Sequence, residues 1–221
     1  MLADAARAGE QVILLHGLAR TWRSMQPMQR ALQSRGYAVV NRGYDSRAGG
    51  IETLAPAAIE AALERCVPDA PVHFVTHSLG GILVRQYLSR HPIDRLGRVV
   101  MLGPPNHGSE VVDRLGAWPG FRLLNGTAGL QLGTAGDSVP RRLGRADFDL
   151  GVIAGTRSVN LLLSCLIAGR DDGKVSVAST RLEGMNDHLE MAVTHPFMMR
   201  NRAVIAQVLH YLRHGRFDRS A

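Results

Sequence analysis

Short apolar runs alternate along the chain with longer segments in which apolar residues recur at helical spacing. Runs of four or five residues with little polar alternation are typical of strands that are buried on both faces of a sheet. Six such runs predict six strands, at residues 12–15, 37–41, 72–75, 98–102, 150–154 and 189–193. Apolar residues at helical spacing predict four helices, at residues 25–35, 52–66, 82–90 and 197–214.

Predicted strands and helices follow one another through most of the chain. This alternation is typical of an α/β fold, in which a mostly parallel sheet carries helices on both faces. With 221 residues and 45% hydrophobic content, the chain can bury a core that needs no disulfide or metal. We expect a single domain over residues 1–221.

Residues 109–147 interrupt this alternation. The segment is rich in glycine and contains scattered prolines, arginines and large apolar residues. Long ordered excursions from a compact fold are usually functional. We therefore expect a short, loop-rich cap over the site, and a plain surface connection is the alternative.

The turn between the third strand and the helix after it is the most informative local motif. Ser78 stands at its apex in the pattern T-x-S-x-G, where Thr76 fills the position of the first glycine in the usual G-x-S-x-G. Such a turn exposes the serine hydroxyl and brings two backbones close together, so it needs small residues nearby. Gly80 and Gly81 meet that need. The motif predicts a nucleophilic serine.

Further polar segments follow the other strands, at the edge where sites form in open parallel sheets. Residues 16–18 follow the first strand, residues 103–109 follow the fourth, residues 169–175 lie beyond the fifth, and His195 lies just after the sixth. A serine, an acid and a histidine therefore fall at one edge of the sheet, in that chain order.

This order and five short segments resemble the α/β-hydrolase superfamily, and within it the compact bacterial lipases and esterases. The segments are H-G-L at 16–18, T-H-S-L-G-G at 76–81, G-P-P-N-H-G-S at 103–109, D-D-G-K-V at 171–175 and T-H-P-F-M-M at 194–199. The resemblance covers nearly the whole chain. It implies that Ser78 is the nucleophile, that His195 is the general base and then the acid, and that Asp172 orients His195.

The chemistry of these groups fits the implied roles. A histidine near a serine takes the hydroxyl proton during attack and later protonates the leaving group, while a carboxylate on the other ring nitrogen fixes the tautomer. The expected oxyanion donors are the backbone N–H groups of Leu79, at the start of the elbow helix, and Leu18, after the first strand.

Two of these assignments have competitors in the sequence. Asp171 is adjacent to Asp172, and either residue could cap a turn; we favour Asp172 because the family pattern places the acid directly before Gly-x-Val. His188 competes with His195, but it falls at the start of its predicted strand, at the opposite edge of the sheet.

We expect an apolar groove beside the serine for an acyl chain, formed in part by Trp22, His77 and Met198. Each residue also has a simpler interpretation. Trp22 could be a buried aromatic at a helix entry, His77 could pack below the pocket, and Met198 could belong to the core.

The formal charge of +7 comes from 26 basic and 19 acidic residues, and Lys174 is the only lysine. The arginines are scattered and no nucleic-acid motif is present, so we expect no nucleic-acid partner. Weak association with anionic membrane surfaces is compatible with the charge. The first apolar run is too short for a signal peptide or a membrane span, and we expect a cytoplasmic protein.

Cys66 and Cys165 lack the spacing of a redox or metal pair, so we expect two buried thiols, no catalytic metal and no cofactor. The predicted function is hydrolysis of small-molecule carboxylic esters, as a lipase or esterase, through an acyl-enzyme on Ser78. Three alternatives stay open: acyl-thioester cleavage, acyl transfer, and a non-catalytic protein of the same fold that binds an apolar ligand or a partner. The oligomeric state also stays open.

Overall fold

The computed structural model describes residues 9–220. They form one sheet of six strands: β1 Gln11–Leu15, β2 Ala38–Val40, β3 Val72–His77, β4 Leu96–Leu102, β5 Leu150–Gly155 and β6 Asp187–Met191. The order is β2-β1-β3-β4-β5-β6, and every neighbouring pair is parallel. The α/β fold with a six-stranded parallel sheet, predicted from the sequence, is confirmed.

Helices connect the strands. They are α1 Gln26–Gln33, α2 Ile51–Leu63, α3 Leu79–Leu88, α4 Glu110–Leu115, α5 Pro119–Leu130, α6 Val139–Arg142, α7 Leu161–Ser164, α8 Val177–Thr180 and α9 Arg202–His214. Two 3₁₀ helices, Trp22–Met25 and His195–Arg200, lie directly before α1 and α9.

The sheet is covered on both faces because successive side chains of a strand point to opposite sides. Ile13 and Leu15 of β1 belong to one core, to which α2 and α3 also contribute. Val12 and Leu14 belong to the other core, to which α1 and α9 contribute. All five residues of β1 are buried, as the absence of polar alternation predicted.

The last predicted helix, at 197–214, is divided in the structure. Asn201 stands between the 3₁₀ helix and α9 with extended backbone, φ −73° and ψ 127°. Its side chain accepts hydrogen bonds from the N–H groups of Ala203 and Val204, which caps α9. The sixth strand also begins two residues earlier than the predicted start at 189.

Residues 109–147 contain three helices, α4 to α6, so the expectation of a loop-rich segment is wrong. Four of its residues belong to the core beside α2 and α3: Ala128, Leu132, Val139 and Ala146. The glycine-rich composition concealed the helices, because glycine has a low intrinsic helix propensity and favours a loop prediction. The segment also borders the loop after β1, since a Cβ on Gly129 would lie 3.0 Å from Leu18 Cδ2.

A buried arginine of α3 ties this segment to the rest of the fold. Arg85 donates hydrogen bonds to the Asn106 carbonyl and side-chain oxygens, at 3.0 and 3.2 Å, and to the carbonyls of Pro140 and Gly144, at 2.9 and 2.7 Å. Burial lowers the pKa of Arg85 to about 10, which leaves it charged at neutral pH. Nothing in the sequence pattern distinguished this arginine from the others.

Cys66 is buried and Cys165 is exposed, so the expectation of a buried thiol is wrong for Cys165. Cys165 follows the short helix α7, in which no residue is buried. Among the described helices, none is both long enough and apolar enough to cross a membrane.

Candidate active site

Ser78 occupies a sharp turn between β3 and α3. Its φ of 53° and ψ of −119° lie in a region that non-glycine residues rarely adopt, at a cost of about 1–3 kcal/mol. The surrounding structure holds the turn: the Ser78 N–H donates to the Leu102 carbonyl at 2.9 Å. A Cβ on Gly80 would lie 2.6 Å from the Leu15 carbonyl oxygen, so only glycine permits this approach of α3 to β1.

Asp172 and His195 form a direct buried contact, with Nδ1 of His195 2.7 Å from Oδ2 of Asp172. The other carboxylate oxygen accepts the N–H groups of Lys174 and Val175 at 3.0 and 2.9 Å. Asp172 is fully buried and His195 is 3% exposed. Gly103 passes close to both, since a Cβ there would lie 2.9 Å from Asp172 Oδ2. The contact with Asp172 therefore engages Nδ1 of the imidazole and leaves Nε2 available for proton transfer.

The competing acid has a different position. Oδ1 of Asp171 accepts a hydrogen bond from the Ser164 hydroxyl at 2.6 Å and from the Gly173 N–H at 2.7 Å. These bonds cap a local turn. The structure thus brings Asp172, rather than Asp171, to His195.

The competing histidine lies away from this contact. His188 pairs with Val152 near the beginning of β6, as expected from the sequence. Its Nε2 is 2.9 Å from Thr180 Oγ1. Desolvation, followed by the charge of Arg181, lowers the pKa of His188 to about 4, so the ring is neutral at physiological pH.

His77, the residue before Ser78 in the chain, contacts His195. The rings of His77 and His195 have centroids 4.7 Å apart, and His77 Nε2 lies 3.0 Å from the His195 carbonyl oxygen. Across residues 9–220, the Ser78 hydroxyl makes no hydrogen bond to the His195 ring. Burial is the main cause that lowers the pKa of His77 well below its ordinary value, so its ring is neutral.

The two expected oxyanion donors belong to backbone segments that meet at the elbow. Leu79 is the first residue of α3, where backbone N–H groups have no partner within the helix. Leu18 lies in the loop after β1, and this loop touches the elbow: a Cβ on Gly17 would lie 3.1 Å from Ser78 Cβ. The two backbone segments therefore converge at the serine.

The three residues expected to contact substrate differ in their surroundings. Trp22 is 38% exposed and lines a cavity of about 620 Å³ beside the loop after β1. Met198 is fully buried and belongs to the core beside α1 and α9. His77 is 2% exposed and contacts His195. These contacts fit the simpler interpretations, in which Met198 belongs to the core and His77 packs below the pocket.

Sequence reasoning missed the partner of His16. The rings of His16 and Tyr44 are stacked, with centroids 4.3 Å apart, and the Tyr44 hydroxyl donates to the His16 carbonyl at 2.6 Å. This pair supports the start of the loop that carries Leu18. The H-G-L segment pointed to His16, but no signal in the sequence pointed to Tyr44.

Comparison with known proteins agrees with this architecture. A family model described as "Alpha/beta hydrolase family" matches residues 12–208, which is most of the chain. The chain belongs to the alpha/beta hydrolase family. A search of curated proteins gave no match.

Solved structures similar to this alpha/beta hydrolase include bacterial lipases and esterases. Bacillus licheniformis lipase BlEst2 in mature form matches at 20% identity and a TM-score of 0.72, with 94% of each chain covered. The metagenomic carboxyl esterase MGS0156 matches at 21% identity and 0.69, over 86% of this chain and 66% of that one. Phospholipase PlaB from Legionella pneumophila matches at 20% and 0.64, over 78% and 45%. At these identities the likeness shows the fold.

The candidate site combines a strained serine, a paired histidine and carboxylate, and two adjoining backbone segments. Within residues 9–220, no group of three or more His, Cys, Asp or Glu side chains is placed to hold a metal ion. The available groups are those of nucleophilic and general acid–base chemistry.

Proposed function

We propose that the chain hydrolyses carboxylic esters through an acyl-enzyme on Ser78, with His195 as the base and Asp172 as its orienting acid. The observation that carries this proposal is the 2.7 Å contact between Asp172 Oδ2 and His195 Nδ1, at the same sheet edge as the strained Ser78. The lipase and esterase neighbours support the same class of reaction.

In the first half-reaction, Ser78 Oγ attacks the acyl carbon while its proton passes to Nε2 of His195. Nε2 is the nitrogen that accepts this proton because Nδ1 is engaged by Asp172. The bond between the acyl carbon and the alcohol oxygen then breaks, and His195 returns the proton to the departing alcohol. The acyl group remains on Ser78 as an ester.

In the second half-reaction, water attacks the acyl carbon and gives a proton to Nε2 of His195. The bond to Ser78 Oγ breaks, the serine regains the proton, and the carboxylic acid departs. Hydrogen bonds between a catalytic nucleophile and its base are often long in the free enzyme and tighten when substrate is bound. This is consistent with the absence of a hydrogen bond between the Ser78 hydroxyl and the His195 ring within residues 9–220.

The N–H groups of Leu79 and Leu18 stabilise the oxyanion of each tetrahedral intermediate. The helix dipole of α3 adds positive potential at Leu79. Losing one donor of this type typically costs about 3 kcal/mol of transition-state stabilisation.

Turnover of p-nitrophenyl butyrate, together with labelling by a fluorophosphonate probe, tests the proposal. The wild-type protein is expected to hydrolyse the ester and to carry the label on Ser78. Ser78→Ala should lower kcat by about 10⁶ and abolish labelling, and His195→Ala should be nearly as damaging. Ser89→Ala, at the other end of α3, is the matched control and should retain activity.

Other outcomes correspond to the alternative functions. Turnover of butyryl thioesters but not oxygen esters would assign a thioesterase. A labelled Ser78 with product formation only when an alcohol or amine acceptor is added would assign an acyltransferase. A wild-type protein that neither takes the label nor turns over any acyl donor would overturn the catalytic assignment.

A further inference from the structure

A cationic cavity lies beside the loop after β1. Its volume is about 620 Å³, and its walls include three arginines, Arg20, Arg23 and Arg47, together with Trp22. Asp45 is the only acidic residue in its lining. The cavity therefore combines an excess of positive charge with one aromatic wall.

Most of this charge is uncompensated. Arg47 and Asp45 approach only to 3.9 Å, and both side chains are more than half exposed. Among the described residues, neither Arg20 nor Arg23 has a carboxylate within ion-pair distance. Arg23 instead lies over the Trp22 ring, with its guanidinium carbon 5.7 Å from the ring centroid. Arginine forks without a carboxylate partner are well suited to a phosphate group.

The cavity is formed in part by the loop that contacts the elbow. His16 and Ala19 line it, and they lie immediately before and after the Gly17-Leu18 segment that touches the elbow. The Ala19 N–H donates to Ser46 Oγ at 2.9 Å, which ties the loop to another wall residue of the cavity.

The charge of Arg20 affects the pKa values of two residues beside His195 and Asp172. Besides burial and His195, the charge of Arg20 contributes to lowering the pKa of His77, which supports His195. After desolvation, Arg20 also lowers the pKa of Lys174, whose N–H donates to Asp172. Arg20, which lines the cavity, is thus close enough to His77 and Lys174 for its charge to act on both.

We propose that this cavity binds a phosphate group on the alcohol portion of the substrate, so that the preferred substrates are acyl esters of phosphate-bearing alcohols. The inference rests on the proposed function. A hydrocarbon acyl chain carries no charge, so the alcohol is the part of such an ester that complements Arg20, Arg23 and Arg47. The alcohol comes either from a soluble phosphate ester or from a phospholipid headgroup.

The kinetic test compares two soluble esters that differ only in the phosphate, glycerol monobutyrate and butyryl-glycerol 3-phosphate. Wild type is expected to show a higher kcat/KM for the phosphorylated ester, by about 10-fold or more, as charge-assisted contacts typically give. Arg20→Gln should lower that ratio by about 10-fold, and Arg20→Lys should restore part of it. Arg90→Gln removes an equal charge from an exposed position just beyond the C-terminal end of α3 and should leave the ratio unchanged.

A vesicle arm separates the two sources of the alcohol. Hydrolysis of phosphatidylglycerol vesicles by the same variants reports on a lipid headgroup, and Arg90→Gln corrects for nonspecific adsorption. Dependence on Arg20 with the soluble ester alone assigns a soluble substrate, and dependence that extends to vesicles assigns a phospholipid. If neither arm depends on Arg20 while ester turnover persists, the cavity proposal is overturned and the proposed function stands.

A binding arm is independent of catalysis. Titration of Ser78→Ala with glycerol 3-phosphate should show binding that weakens by about 10-fold when Arg20→Gln is added. Binding without ester turnover by wild type would support the cavity and reject the proposed function. Equal binding of glycerol 3-phosphate in the presence and absence of Arg20 would reject the proposal that the cavity binds phosphate.

Discussion

The ring of His77 hydrogen-bonds to the main chain of His195: its Nε2 lies 3.0 Å from the His195 carbonyl oxygen. Because a carbonyl accepts, the proton is on Nε2, and the lowered pKa keeps the ring neutral. The residue before the serine at position 78 thus supports the histidine that is proposed to activate it. We infer that His77 is a positioning residue.

Removing this hydrogen bond should slow the chemical step. His77→Phe keeps an aromatic ring under His195 but cannot donate, so kcat for p-nitrophenyl butyrate should fall about 10-fold with little change in KM. The pH profile of kcat/KM should also shift, because the environment of His195 changes.

His77→Gln restores a donor and should recover part of the lost kcat. Equal kcat and pH profiles in wild type and His77→Phe would show that the bond has no positioning role.

The adjacent aspartates provide a matched pair of variants. Asp172→Asn should lower kcat by about 10⁴, because an amide in place of the carboxylate favours the wrong tautomer of His195. Asp171→Asn should reduce kcat far less, since its carboxylate accepts from Ser164 and Gly173 and does not touch His195. Steady-state kinetics at pH 7 measure both; similar losses would mean that another acid orients His195.

Arg85 should contribute strongly to stability. Arg85→Met fills a similar volume but leaves the buried carbonyls of Asn106, Pro140 and Gly144 without their donors, at a cost of roughly 3 kcal/mol in the free energy of unfolding. Urea unfolding measures this change. Arg90→Met alters an exposed arginine just beyond the end of α3 and should stay within about 0.5 kcal/mol of wild type.

Limited proteolysis gives a second measurement for Arg85. Cleavage of Arg85→Met should increase around residues 139–144, which the guanidinium binds in the wild-type protein. An unchanged urea midpoint and cleavage pattern would contradict the anchoring role.

His188 should make stability depend on pH. Its folded-state pKa is about 4 against an ordinary value of 6.5, so the unfolded chain binds more protons between these values. This histidine therefore causes stability to be lost as the pH falls from about 6.5 to about 4.

His188→Gln removes the titration and keeps a donor for Thr180 Oγ1. Urea unfolding at pH 7 and pH 5 should show a smaller loss of stability in the variant than in wild type. Ester hydrolysis at pH 7 should be largely retained, because His188 lies near the beginning of β6. An equal pH dependence of stability in the two proteins would mean that other groups dominate.

Local sequence patterns predicted much of the fold and part of the candidate site. The six short apolar runs predicted six strands because a strand buried on both faces needs an unbroken apolar sequence, and β1, β3 and β5 are buried at every residue. The turn at Ser78 was visible because it requires a serine followed closely by small residues. The helices of residues 109–147 were missed because their glycines have a low intrinsic helix propensity, so the composition favoured loops.

The sequence by itself determined the order of strands and helices, the elbow serine and the placement of polar segments at one sheet edge, since each depends on neighbouring residues. Tertiary structure decided which acid meets His195, that His77 lies beneath it, and that three arginines share a cavity with Trp22. Asp172 and His195 are 23 positions apart, and Arg20 and Arg47 come from different loops. Such contacts depend on how distant segments pack, which no local periodicity specifies.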